Sequence, residues 1–314
     1  MSILKLKAAT KDYLWGGNKL VDEFGKIPAG DVTAESWELS CYPGSESVIE
    51  NGDFANKTIT EYIQQNGRGV LGSKCEQFKD FPVLIKFIDA KKDLSLQVHP
   101  SDEYAKEHEN QYGKTEMWYI IDAEKDAFLY YGFNREITKE EFAARIENQT
   151  LTEVLNAYPV KKGDVIFIEA GTLHAIGAGI LLAEIQQNSN VTYRVYDYGR
   201  RDKNGNLREL HVEKAMDVTT LAPVTKVHPK DGHIAACKYF TVDKVVTSQQ
   251  TGNKFCGNIG KESFLHVLIV DGSGIIRCEN EEMVYKKGDS FFLPAGSGDY
   301  EIEGCCEALL TYEE

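Results

Sequence analysis

An eleven-residue segment occurs twice in this chain, and that duplication constrains the fold more than any other feature. Residues 161–171 read Lys-Lys-Gly-Asp-Val-Ile-Phe-Ile-Glu-Ala-Gly, and residues 286–296 read Lys-Lys-Gly-Asp-Ser-Phe-Phe-Leu-Pro-Ala-Gly. The offset is 125 residues, and seven of the eleven positions are identical. Each copy encodes a Gly-Asp turn, a short strand of large apolar residues and a second tight turn at glycine. Such a repeat predicts that the 314 residues form two β-barrels built alike, not two unrelated domains. The copies then diverge. His174 follows the first, whereas the equivalent position after the second is Asp299, so only the first copy offers a metal ligand there.

The remaining pattern is also mainly β. Runs rich in β-branched and aromatic residues lie at 82–88, 94–98, 117–121, 128–131, 165–168, 181–186 and 192–196, and later at 239–246, 264–270, 290–293 and 308–312. Helices are local decoration. Thr58-Ile-Thr-Glu61 is a capping box whose helix should stop at Asn66-Gly67. Thr138-Lys-Glu-Glu141 and Thr150-Leu-Thr-Glu153 repeat that signature and predict two short helices in 138–158, and Ser101 should cap a helix running to about His108. The expected division is 1–225, a barrel with helical inserts near 58–72 and 138–158, and 226–314, a degenerate copy without metal ligands.

Charge limits the partners. Lys and Arg number 35 and Asp and Glu 49, a net charge of −14, which opposes binding to nucleic acid or an anionic membrane. The longest clean apolar stretch, 175–183, is nine residues, where a membrane span needs about 20. Residues 1–14 hold no apolar run of signal-peptide length, and the seven scattered cysteines never form C-x-x-C. Together these predict reduced thiols and a cytoplasmic location. An anionic substrate would require a local cluster that reverses the overall sign.

Most histidines have structural explanations. His108 lies in a polar helix, His228 and His233 flank a turn, His266 reads as a satisfied core residue, and His211 is undecided. His99 and His174 differ. Alternation in 95–99 puts Ser95, Gln97 and His99 on one strand face, and Glu116 opens another apolar strand. Two imidazoles and a carboxylate from separate strands suit zinc or a similar divalent ion with one position open, and they also fit separate structural roles. Lys86 and Arg194 sit among apolar neighbours, where a cation needs an anionic partner, while Arg201 reads as a surface residue. The first repeat with its His (Gly163, Glu169, Gly171, His174) resembles the second motif of the cupin superfamily of small jelly-roll barrels, with Glu where Pro is preferred. The second copy keeps Gly288, Pro294 and Gly296 but has Asp299 for the His.

Longer stretches carry a closer resemblance. Leu14-Trp-Gly-Gly17, Glu35-Ser-Trp-Glu-Leu39, the segments 81–90 and 93–102, Gly113-Lys-Thr-Glu-Met-Trp-Tyr119, the segment 170–176, Glu184-Ile-Gln-Gln-Asn188 and the segment 192–198 resemble, in order, the class I mannose-6-phosphate isomerases of short bacterial type. The resemblance implies a fold of two cupin-like jelly-roll β-barrels and one Zn2+ per chain. It implies an isomerase that interconverts mannose 6-phosphate and fructose 6-phosphate through a cis-enediol. By position, His99, Glu116 and His174 match the metal ligands, and Gln97 matches a fourth ligand of longer relatives. Arg194 matches the residue usually assigned as catalytic, and Lys114, Glu184, Lys86 and Ser95 match other active-site positions. Arg200 stands where longer members have Lys. Lys114 and Glu184 are both candidates for proton transfer. The partner implied is a small sugar phosphate, bound by a monomer or homodimer. Two alternatives are a cupin that binds sugar phosphate without turnover and an iron oxygenase. The latter usually needs an H-x-H or H-x-D pair, and Gln97-Val-His99 lacks the first His.

Overall fold

The structure, a computed structural model, describes residues 2–201, 204–225 and 232–314. His228 lies outside the described residues, and the boundary expected after residue 225 adjoins residues 226–231, which also lie outside them. The described chain is mainly β, in three antiparallel sheets. A six-stranded sheet runs Val165–Ile168, Glu116–Ala123, Ile180–Gln187, Val83–Ala90, Glu35–Leu39, Ala9–Lys11. A five-stranded sheet runs Tyr193–Tyr196, Leu96–Val98, His174–Ile176, Phe128–Phe133, Leu155–Pro159. The nine-stranded sheet is built on the long strands Leu265–Cys278 and Gly298–Tyr312, and it also takes in the N-terminal strand Leu4–Lys7 beside Ser290–Leu293.

The duplicated segment forms the same local structure twice. In each copy the Asp side chain accepts from the backbone N–H of the first Lys: Lys161 N to Asp164 Oδ2 at 2.9 Å, and Lys286 N to Asp289 Oδ2 at 3.0 Å. The intervening glycines, Gly163 and Gly288, have φ of 90° and 89°, a conformation that side chains rarely adopt. The strand that follows joins the six-stranded sheet in one copy and the nine-stranded sheet in the other.

Apolar packing explains the order of layers. Ile85, Phe87, Met117, Tyr119, Ala183 and Ile185 point from the six-stranded sheet to a core shared with Phe240, Leu268, Phe292 and Leu309 of the C-terminal part. Each Ile, Leu, Phe or Met among them contributes about 1.5–3 kcal/mol on burial. The opposite face looks toward the five-stranded sheet. Because both faces are covered, Val83–Ala90 and Ile180–Gln187 are buried at every residue, which is why each carries apolar residues on both faces, with Lys86, Asp89, Glu184, Gln186 and Gln187 as the polar exceptions.

The helices follow their caps. Thr58 forms the full capping box over Ile59–Asn66, Thr138 caps Lys139–Glu147, and Ser101 caps Asp102–His108. The Thr150 signature does not hold. The Thr150 N–H bonds to the Arg145 carbonyl, and Glu153, expected to close the box, pairs with Arg145 at 3.1 Å. The chain makes a single 3-10 turn, Leu151–Val154, and then the strand Leu155–Pro159 against Phe128–Phe133. Sheet pairing and burial of Leu151, Val154 and Leu155 outweigh a local signal worth about 1 kcal/mol.

Candidate metal centre and active site

The polar residues singled out in the sequence line the space between the six- and five-stranded sheets. Strand register brings them into rows. On the six-stranded sheet Trp118, Glu184, Lys86 and Trp37 are successive cross-strand partners. On the five-stranded sheet Arg194, Gln97, His174 and Tyr131 are. One step along, His99 and Glu116 complete the group, and Leu96 and Val98 turn away into the core behind the sheet.

His99, Glu116 and His174 converge, with one potential ligand atom from each lying within 4.8 Å of the others. The Nδ1 of His99 bonds to the Val191 carbonyl at 2.8 Å and that of His174 to the Thr172 carbonyl at 2.9 Å. A carbonyl only accepts, so each Nδ1 carries the proton and each Nε2 keeps its lone pair for the shared space. Glu116 Oε1 lies 3.7 Å from His99 Nε2 and 3.4 Å from His174 Nε2, fully buried and without a hydrogen-bond partner. A buried carboxylate oxygen with no donor is costly, and a divalent metal ion would satisfy it together with both nitrogens. The donor set therefore fits a divalent metal. Gln97 Nε2 stands 3.5 Å from His174 Nε2, beside this group.

Burial holds both imidazoles neutral, as ligands must be. It lowers His174 to about 4, and it lowers His99 well below its usual value with help from the Lys114 charge. Burial and the nearby Glu184 charge push the Glu116 carboxyl upward, against the pull of Lys114.

A ladder of alternating charge runs on from the triad. Lys114 contacts Glu116 Oε2, lies 3.2 Å from His99 Nε2 and 3.5 Å from Glu184 Oε1. Glu184 lies 3.3 Å from Lys86 and accepts from Trp118 Nε1 at 2.8 Å. Lys86 lies 3.6 Å from Glu35, which accepts from Trp37 Nε1 at 2.7 Å. All of these charged groups are buried. Burial alone would raise Glu184, but Lys114, Lys86 and the Trp118 N–H override it and hold the carboxyl below the usual carboxylate range. Burying an ion costs several kcal/mol, and well-packed apolar residues would often stabilise such a site as much or more. Five charged side chains gathered here point to chemistry rather than stability.

Arginines form the other side. Arg194 Nε donates to Ser95 Oγ at 3.2 Å and Nη1 to the Glu209 carbonyl at 2.9 Å. His211, undecided from sequence, bonds both ways to the Arg194 backbone. Arg200 and Arg208 both close on Asp197, and Arg200 also reaches the Asp93 carbonyl. Burial, and then the Arg208 charge, press the Arg194 guanidinium downward. Three cations face one buried carboxylate, a local reversal of the net charge. Asp197, Arg208, Glu35, Trp37 and Trp118 had no role assigned from sequence. The available signal was two acids inside the apolar strand Glu35–Leu39. His266, expected to be satisfied, bonds Ser290 at 2.8 Å through Nε2 but leaves Nδ1 without a partner.

Comparison with known proteins decides the family. Residues 3–153 match the model of the phosphomannose isomerase type I catalytic domain, and residues 230–313 match that of the mannose-6-phosphate isomerase cupin domain. Mannose-6-phosphate isomerase ManA of Bacillus subtilis is 39% identical over 98% of both chains. The chain belongs to the type I mannose-6-phosphate isomerase family. It is therefore an isomerase with a cupin fold, and its substrate is a small sugar phosphate. The crystal structure of the mannose 6-phosphate isomerase from Bacillus subtilis superimposes with a TM-score of 0.89, at 35% identity and over 99% of both chains. A mannose 6-phosphate isomerase crystallised with zinc and yttrium shares the fold at a TM-score of 0.77 and 17% identity, over 100% of both chains. Among the described residues no helix is long and apolar enough to cross a membrane.

Proposed function

We propose that the chain interconverts mannose 6-phosphate and fructose 6-phosphate, with His99, Glu116 and His174 holding one zinc ion and Gln97 as a fourth ligand. The observation that carries this reading is the buried, unpartnered Glu116 Oε1 facing two imidazole Nε2 atoms. Zinc suits two nitrogens and one oxygen, and one distant fold neighbour carries it. The ion would supply Lewis-acid stabilisation of charge on the sugar's carbonyl and hydroxyl oxygens.

The protein's own side chains do the rest. Isomerisation moves a proton between C1 and C2. Lys114, next to the triad, carries that proton: as the neutral amine it takes the proton from C2, and as the ammonium it returns it to C1 while the hydroxyl proton passes from O2 to O1. Glu184, which faces both Lys114 and Lys86, holds the Lys114 Nζ in place. Arg194 is a fixed positive charge opposite developing enediolate charge. Ser95, Lys86, Arg194 and Arg200 line the path for substrate and phosphate. Residues 1–225 form the domain that holds this site, and 226–314 form a degenerate domain whose described part packs on the far face of the six-stranded sheet, in a cytoplasmic enzyme.

The test is a coupled assay for fructose 6-phosphate formation with metal content measured on the same sample. Turnover that tracks bound zinc supports the reading. Full turnover in a metal-free sample would overturn the role of the ion, and zinc-loaded protein without turnover would overturn the activity.

A further inference from the structure

Lys114 sits in an irregular segment, 112–115, between the helix Asp102–His108 and the strand Glu116–Ala123. Nothing in regular secondary structure fixes that segment. Three consecutive backbone N–H groups are nevertheless each held. Gly113 N donates to Asp102 Oδ1 at 2.9 Å, Lys114 N to the Pro100 carbonyl at 3.1 Å, and Thr115 N to Gln187 Oε1 at 2.8 Å. Two of these partners are bonded to each other, because Gln187 Nε2 donates to the same Asp102 oxygen at 2.8 Å. The Gln187 backbone N–H also donates to the Thr115 carbonyl at 3.1 Å.

The other Asp102 oxygen is held from far along the chain. The Tyr239 hydroxyl donates to Asp102 Oδ2 at 3.0 Å across 137 residues of sequence. Asp102 thus accepts from Gly113, Gln187, Tyr239 and, at 3.4 Å, Lys106. An ionised carboxylate has about four lone-pair sites for such donors, whereas an amide has fewer. The close fit extends to Gly113. A Cβ there would stand 2.5 Å from Asp102 N and Ser101 C and 2.7 Å from the Pro100 carbonyl oxygen, all backbone atoms that cannot give way.

We propose that Asp102, Gln187 and Tyr239 are positioning residues for Lys114, and that through Tyr239 the C-terminal part of the chain sets the geometry of the active site. This rests on the role proposed above for Lys114. The physical reason is the steep dependence of rate on placement: a shift of about 1 Å in a reacting group can cost about 100-fold. Asp102 and Gln187 hold backbone N–H groups and Tyr239 holds Asp102, none of them placed to touch substrate, so their loss should appear in kcat and not in KM.

The experiment compares Asp102→Ala, Asp102→Asn and Tyr239→Phe with the parent in zinc-loaded form. It measures kcat and KM for mannose 6-phosphate, zinc per chain, and hydrogen–deuterium exchange at residues 113–115. In Asp102→Ala, exchange at Gly113 and Thr115 should rise about tenfold and kcat fall about tenfold, with KM within about twofold and zinc unchanged. Asp102→Asn keeps an oxygen for Gly113 and Gln187 and should recover most of that loss. Tyr239→Phe should lie between. Faster exchange with parental kcat, or a loss of kcat that follows a loss of zinc, overturns the proposal. If Asp102→Ala does not fold, Tyr239→Phe decides, since it deletes one hydroxyl. Unchanged exchange, or parental kcat, in that variant also overturns it. If the parent fails to turn over mannose 6-phosphate, the proposed function falls, while the exchange data still report whether this clamp holds the segment.

Discussion

The Lys114 ammonium stands 3.2 Å from Nε2 of His99 and donates to the lone pair that a metal ion would need. The same ammonium contacts Glu116, so one lysine touches two of the three proposed ligands. A cation bound in that group and the Lys114 charge repel each other and share the same acceptors. Lys114→Met should therefore bind zinc at least as tightly as the parent, measured by competition with a chelating dye. Its kcat should fall by about 100- to 10,000-fold, the usual range for removing a proton-transfer group. Weaker zinc binding in this variant would show that Lys114 supports the metal site instead.

Removal of a ligand acts differently. In His174→Ala and His99→Ala one imidazole, Glu116 and the neutral Gln97 amide remain, a weaker donor set than the parent's. Both variants should purify with less than about a tenth of the parental zinc, and added zinc should not restore turnover. In the parent, chelation should abolish turnover and zinc should restore it. The check is metal analysis beside the coupled assay. Parental zinc content in either variant would remove that His from the ligand set.

How much of this was legible before the structure depends on the kind of signal. Strands buried on both faces, such as Val83–Ala90, announce themselves because every position is constrained. The repeat marked its two turns because a Gly at positive φ and an Asp that accepts from the backbone leave few alternatives. The short strands Ala9–Lys11 and Val48–Ile49 gave no periodicity, since two or three residues cannot show one. Thr150 misled because its cap competes with sheet pairing that involves residues more than 20 positions away. His99 was legible from the polar strand face it shares with Ser95 and Gln97, and His174 from its place after the first copy of the repeat, but Asp197, Arg208 and Tyr239 act through partners distant in sequence. No local pattern marks those pairings.

Arg194 is placed by Ser95, by the Glu209 carbonyl and by His211, with none of the three metal-triad residues among these partners. Arg194→Ala should keep zinc at the parental level and lose about 100-fold or more in kcat, the effect of deleting a fixed charge opposite a developing anion. Arg208 is one step further out and shares Asp197 with Arg200. Arg208→Gln should raise KM by about three- to tenfold with a smaller change in kcat, as expected for part of the positive field that draws in the phosphate. Steady-state kinetics on both variants test this. A near-normal kcat in Arg194→Ala would end its assignment.

His266, far from this chemistry in the nine-stranded sheet, should set part of the acid sensitivity of the fold. It is fully buried, and burial followed by the Lys26 charge pushes its pKa down to about 3. In the unfolded chain a His titrates near 6.5. Between those values the unfolded state binds a proton that the folded state refuses. Its contribution to stability is thus complete above about pH 6.5 and is lost as pH falls toward about 3, at about 1.4 kcal/mol per pH unit. His99 and His174 add slopes of the same sign in metal-free protein, so the difference between parent and variant isolates His266. In His266→Leu, Ser290 keeps its bond to the Glu38 carbonyl at 3.1 Å, and no neighbour is stranded. Urea unfolding of metal-free protein at about pH 6.5, 5.5 and 4.5 should show the variant less acid-sensitive by that slope. Equal slopes in parent and variant would mean that His266 accepts its proton without unfolding.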